Sequence, residues 1–272
     1  ITTRLVGSEM CIRDRVYTLR GYQIPEASRQ AKGTAIINLL QLSPGERITA
    51  VINTMEFTEG QYLFMATNKG TVKRTKLTEF ASVRKNGLRA IVLNDNEELI
   101  SVKLTHGNSN ILMATRGGMA IHFSEQDVRV MGRVAHGVRG INLNVQDAVV
   151  AMDAIYDLES EVLTVTENGS GKRTKLSEYT KQIRGGKGRI NYKLTEKTGL
   201  VAGMTIVKPN DELYIITASG IIIRTNVDEL STISRNTQGV KAISLNEGDV
   251  VTAIATVEAE ENVVKDTETV SE

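Results

Sequence analysis

The chain has 272 residues, 40% of them hydrophobic but only 4% aromatic, with no tryptophan and one cysteine, Cys11. That length can bury a sizeable core, a lone cysteine excludes an internal disulfide framework, and no run of eighteen apolar residues could span a bilayer. The net charge of +1 hides an asymmetry, because Glu258, Glu260, Glu261, Asp266, Glu268 and Glu272 crowd the last stretch against Lys265 alone, leaving a more basic body.

Residues 1–15 fit no pattern found elsewhere in the chain. From residue 16 onward the sequence repeats about every fifty residues, over 16–57, 58–107, 108–158, 159–209 and 210–257. The second repeat shows the plan. QYLFMAT (61–67) suits a half-buried pleated surface, and Asn68-Lys69-Gly70 is a tight-turn signal. TVKRTKL resumes as the return strand of a hairpin. A polar connection over 78–87 leads to LRAIVL, a turn at 94–97, and ELISVKLT. Four short antiparallel strands per repeat describe a propeller blade, and a fixed period of this size belongs to propellers, solenoids or arrays.

Two glycines mark the period. The turn glycine recurs as Gly70, Gly118, Gly169 and Gly220. The second precedes a strand-like run, as Gly33, Gly87, Gly137, Gly188 and Gly239. Four and six residues past it stand apolar pairs such as Ile37 and Leu39, Ile141 and Leu143, and Ile243 and Leu245. Alternation puts both on one strand face, where core packing is their role.

The connection before the second glycine is basic in every repeat. Arg29, Arg133, Arg184 and Arg235 stand four residues before it and Arg84 three before; Lys32, Lys85, Lys181 and Lys187 share these loops. Arg74, Arg173 and Arg224 each lie four residues past a turn glycine, a place that His122 takes in 108–158. A single arginine is an ordinary solubilising residue. Phased arginines in equivalent loops form a cationic band along one edge, which matches duplex phosphates and reads no bases. The loop Gln182-Ile183-Arg184-Gly185-Gly186-Lys187-Gly188 is the most glycine-rich. It lacks Walker spacing and a Ser or Thr after its lysine, which counts against a nucleotide site.

Catalytic signals are missing. The three histidines are scattered, the carboxylates fall in turns such as NDNEE (94–98), and no metal-ligand spacing occurs. Tyr62, Tyr156, Tyr192 and Tyr214 lie in apolar runs, with Tyr17, Tyr22 and Tyr179 in or beside the loops. The scarcity of aromatics counts against a stacking platform for single strands.

GYQIPEASRQAKGTAIINLLQLSPGERITAVI (21–52), ATNKGTVKRTKLTEF (66–80), GVRGINL (137–143) and SRNTQGVKAISL (234–245) resemble the C-terminal domain of bacterial DNA gyrase A over roughly 16–257. The resemblance implies an all-β fold, a β-pinwheel of four-stranded blades with strands exchanged between neighbours. It implies wrapping of double-stranded DNA by a non-catalytic domain of a cytoplasmic, nucleoid-associated type II topoisomerase that introduces negative supercoils. The implied partners are the rest of gyrase A and gyrase B in an A2B2 assembly, with no membrane. No cofactor is implied for this segment, since ATP and Mg serve elsewhere in the parent enzyme. Gln182 to Gly188 match the family's QRRGGKG-type box except at Ile183, but fall in a later blade. Two alternatives stay open: the topoisomerase IV counterpart, and a propeller scaffold for protein partners.

LVGSEMCIRDR, within 1–15, is unlike the family and is expected to be a non-native or chimeric segment. That leaves four complete repeats plus a truncated first one, short of a strand and with an open sheet edge. The stretch 258–272 is acidic and poor in aromatics, so it is expected to be a disordered tail.

Overall fold

The structure, a computed structural model, describes residues 8–12, 14–28, 30–40, 42, 48–54, 56–84 and 86–258. Arg29, Lys85 and the tail beyond Glu258 lie outside the described residues. The first repeat forms β1 (Ser8–Ile12), β2 (Arg15–Arg20) and β3 (Ala50–Thr54). The second forms β4 (Tyr62–Thr67), β5 (Thr71–Lys76), β6 (Leu88–Arg89) and β7 (Leu99–Thr105). The third forms β8 (Asn110–Thr115), β9 (Met119–Ser124), β10 (Val138–Arg139) and β11 (Val149–Ile155). The fourth forms β12 (Glu161–Thr166), β13 (Ser170–Lys175), β14 (Arg189–Ile190) and β15 (Val201–Val207). The fifth forms β16 (Glu212–Thr217), β17 (Ile222–Asn226), β18 (Val240–Lys241) and β19 (Val251–Val257).

The hairpins form for local reasons. Gly70, Gly118 and Gly169 carry positive φ at the turns, and the hydroxyls of Thr67, Thr115 and Thr166 each accept the amide of the residue just past that glycine, at 3.2 Å. The central strands are buried on both faces, which is why LFMA and ILMA read as unbroken apolar runs. Leu63 and Met65 pack with Val16 and Ile52 of the preceding blade, whereas Phe64 and Ala66 pack with Ile111, Met113 and Phe123 of the next. Leu112 with Val162, and Leu163 with Leu213, continue the alternation. The core therefore sits between blades, and no blade could bury its apolar faces alone.

The sheets run β3-β1-β2-β6, β10-β5-β4-β7, β11-β8-β9-β14, β15-β12-β13-β18 and β17-β16-β19. The long strands β3, β7, β11, β15 and β19 adjoin one another and form the inner edge. The outer strand of each four-stranded sheet comes from the following repeat: β6 on β2, β10 on β5, β14 on β9, and β18 on β13. The first sheet, expected to be short of a strand, is not. Ser8–Ile12 pairs on both sides, with Arg15–Arg20 and Ala50–Thr54, so the first sheet has four strands. Among the described residues the last sheet, β17-β16-β19, has three strands. LRAIVL is also shorter as a strand than its composition implies: only Leu88 and Arg89 join a ladder, and the rest passes between blades.

Candidate nucleic-acid interface

Each junction between repeats is built from the same contacts. The turn carbonyls of Gly70, Gly118 and Gly169 each accept two successive amides, from Gly140 and Ile141, from Asn191 and Tyr192, and from Ala242 and Ile243, at 2.8–3.3 Å. The donor strand is thereby fixed at the outer edge, in the pairing Thr71–Arg139, Met119–Ile190 and Ser170–Lys241. One exposed base rides on each donor strand: Arg89, Arg139, Arg189 and Lys241. Sequence reasoning passes over these four. Their signal is present, one or two residues after the second glycine, but there it merges with the pattern of a core strand.

The structure sorts the basic residues singled out from the sequence into two groups. Lys32, Arg84, Lys181 and Lys187 are exposed on their loops. Arg74 and Arg173 are not. Arg74 is buried over the Tyr62 ring, 4.9 Å from its centroid, and 3.7 Å from the buried Glu125. The Arg173 side chain is only 14% exposed, held by Glu161 at 3.1 Å and Asp228 at 2.6 Å. Such arginines are already paired and belong to the scaffold. His122, at the same register position, is buried with Nδ1 2.5 Å from the Tyr179 carbonyl, and burial holds its pKa below the usual value. Arg224 is exposed on β17 and pairs with Glu212.

The phased loop arginines serve partly as staples between neighbouring connections. Arg184 Nε donates to the Asp127 carbonyl at 2.8 Å and Nη1 to the Arg139 carbonyl at 2.9 Å. Arg235 Nη1 donates to the equivalent carbonyl, that of Ile190. Arg133 lies 3.7 Å from Glu79, whose carboxylate also accepts the Arg133 amide. The box-like loop is held the same way. The Gln182 amide donates to His122 O at 2.7 Å, the Gly185 amide donates to Gly140 O at 2.6 Å, and Gly186 O accepts the Asn142 amide at 2.8 Å. Gly188 carries φ +75° against the Ala120 backbone, while Ile183 is 84% exposed and Lys187 projects from the rim.

Two lysines beneath these loops also escape a reading of the sequence. Lys73 is fully buried and donates to the carbonyls of Ala90, at 2.6 Å, and Arg133, at 2.5 Å. Lys172 is likewise buried, 4.8 Å over the Tyr192 ring, and donates to Ser234 O at 3.0 Å and to the Arg235 and Thr237 carbonyls. They hold the chain beneath the arginine loops. Among the described residues no cluster of His, Cys, Asp and Glu could hold a metal ion, and no helix is long and apolar enough to cross a membrane.

Five segments of the chain, 13–55, 61–106, 109–155, 160–208 and 211–258, match the family described as DNA gyrase C-terminal domain, beta-propeller. The chain belongs to that family. It is 46% identical over 247 residues to the DNA gyrase A of Haloquadratum walsbyi, covering 89% of this chain and 29% of that protein. It is 48% identical over 261 residues to the DNA gyrase A of Clostridium acetobutylicum, covering 96% and 31%. The chain thus spans less than a third of the length of these relatives. A solved DNA gyrase A C-terminal domain superposes with a TM-score of 0.80 at 25% identity, covering 93% of this chain and 83% of that one. The C-terminal domain of DNA topoisomerase IV superposes with a TM-score of 0.87 at 24% identity, covering 94% and 80%, and so shares the fold.

Proposed function

We propose that this gyrase-family chain binds duplex DNA along its outer edge and wraps it, without catalysing strand passage itself. The observation that carries this reading is the row of exposed bases on successive donor strands, Arg89, Arg139, Arg189 and Lys241, supplemented by Arg84, Lys181 and Lys187. One exposed base on each outer strand, at the same register in Arg89, Arg139 and Lys241 and one residue earlier in Arg189, places positive charge at every blade edge, which suits a uniform phosphate backbone. Within a whole gyrase the wrapped segment would be presented for passage, with ATP and Mg used by other parts of the assembly, in the bacterial cytoplasm. The implied partners are gyrase B and the remainder of gyrase A.

The test is a salt titration of binding to a duplex of ~150 bp, one persistence length, joined to a topology assay on ligase-closed circles. If each of the four donor-strand bases neutralises one phosphate, log K falls with log salt at a slope of about −3.6. A shift in linking number supports wrapping. Steep binding without such a shift supports a DNA-binding edge alone, and absence of binding at low salt overturns the proposal.

A further inference from the structure

The loop from Gln182 to Gly188 carries a side chain that its counterparts lack. Five residues before the second glycine the other repeats place Ser28, Ser82, Gly132 and Ser234, and this one places Ile183. Small residues suit an exposed crest, whereas Ile183 leaves a branched apolar side chain 84% exposed there. Gly185 and Gly186 follow Arg184, so the loop supplies little that could shield it before Lys187.

The crest is also held firmly. On one side of Ile183 the Gln182 amide donates to His122 O at 2.7 Å. On the other, the Arg184 guanidinium donates to the carbonyls of Asp127, at 2.8 Å, and Arg139, at 2.9 Å, and the Gly185 amide donates to Gly140 O at 2.6 Å. Both neighbours of Ile183 are thereby anchored to the preceding repeat, and the branch at its Cβ restricts χ1. The result is an apolar tip that is fixed in place yet adds nothing to the core.

Its surroundings indicate what such a tip could meet. Residues 179–191 contain no carboxylate, and Lys181, Lys187 and Arg189 among them are exposed. Arg139 of β10 runs alongside, since a Cβ on Gly185 would lie 3.9 Å from its Cγ and 4.0 Å from its Cδ. One side chain is too small to be a protein-docking patch. A wedge into stacked bases needs only one, flanked by charges that reach the phosphates.

Resting on the reading that this edge binds duplex DNA, we propose that Ile183 enters the minor groove, wedges between two base pairs and kinks the duplex where the fourth repeat touches it. The surrounding bases neutralise phosphates on either side of the kink. An edge that reads phosphates alone has no preferred register. The wedge gives it one, because pyrimidine–purine steps such as TA unstack most readily.

The test compares the full chain with Ile183→Ser, which copies the equivalent loops, and Ile183→Leu. Because Ile183 lies outside the core, all three should unfold at the same temperature. Binding to duplexes with and without a central TA step is titrated against salt. Bending is read by energy transfer between dyes flanking that step, and unstacking by the fluorescence of 2-aminopurine within it. The unsubstituted chain should bend the TA duplex more than the other and brighten the 2-aminopurine. Ile183→Ser should keep the salt slope, lose both effects and bind the TA duplex about tenfold more weakly. Ile183→Leu should retain both effects. If Ile183→Ser bends and binds like the unsubstituted chain at the same slope, the wedge is overturned while the DNA-binding edge stands. A slope altered by Ile183→Ser also overturns it, since the side chain would then act through the bases beside it. If the unsubstituted chain fails to bind at low salt, the DNA-binding edge falls and the wedge with it.

Discussion

Within the dipeptide Lys-Arg of TVKRT and GKRT, neighbouring side chains have opposite fates because a strand turns successive residues to opposite faces. The arginine meets carboxylates, and the lysine is driven beneath a neighbouring loop. Burial lowers Lys73 from 10.5 to about 8, and Lys172 likewise. Between pH 8 and 10.5 the unfolded chain holds protons that the folded chain has released, so stability rises with pH across that window. Lys73→Met should remove Lys73's share of that rise, read by urea unfolding at pH 7 and pH 9.5. At pH 7 it should cost about 1–3 kcal/mol, because the carbonyls of Ala90 and Arg133 lose their donor. The two kinds of arginine separate in the same experiments. Arg189→Ala should leave stability unchanged and reduce the salt slope of DNA binding by about one unit. Arg173→Ala should leave the slope and cost about 1–3 kcal/mol, because Glu161 and Asp228 lose their partner. An Arg173→Ala protein of full stability with a reduced slope would reverse this assignment. The sequence could not distinguish these arginines, since period alone states which positions are equivalent and not which carboxylate waits opposite. Glu161 and Asp228 reach Arg173 from 12 and 55 residues away.

At the scale of the strand, the exchanged donor is the unit that joins repeats. Its glycine period and apolar pairs were legible from the sequence, as was the hairpin before it. Its shortness and its destination were not legible in the residues themselves, because the donor pairs with the blade before its own; only the family resemblance implied an exchange between neighbours. The pairing of β6 with β2 spans more than seventy residues, and no local pattern encodes such a distance. Two turn glycines with the same backbone now make a comparison. Gly169 has φ +77° and Gly220 has φ +83°, so alanine at either pays the left-handed cost of about 1–2 kcal/mol. At Gly169 the new Cβ also strikes Ile243, adding about 1–3 kcal/mol of overpacking. Thermal unfolding should therefore place Gly169→Ala well below Gly220→Ala. Equal losses would mean that the β18 junction contributes little to the fold.

Over the whole molecule, charge is divided between a basic outer edge and the acidic stretch 258–272, whose remainder beyond Glu258 lies outside the described residues. Glu258 itself is 3.9 Å from Lys208, an exposed pair of small energetic weight. The larger effect is a field effect. If the outer edge binds DNA as proposed, the six carboxylates of this stretch are expected to act as a local polyanion competing with DNA phosphates for the donor-strand bases. Removing 258–272 should tighten duplex binding by on the order of tenfold at low salt, where a Debye length of ~30 Å lets the tail reach the edge. At ~1 M salt, with a Debye length near ~3 Å, the two forms should bind alike. Neutralising the six acids as amides should reproduce the deletion, which separates charge from chain length. If deletion leaves affinity unchanged at low salt, the tail serves solubility alone. If it tightens binding equally at both salt concentrations, the tail obstructs DNA by its bulk and the electrostatic account fails.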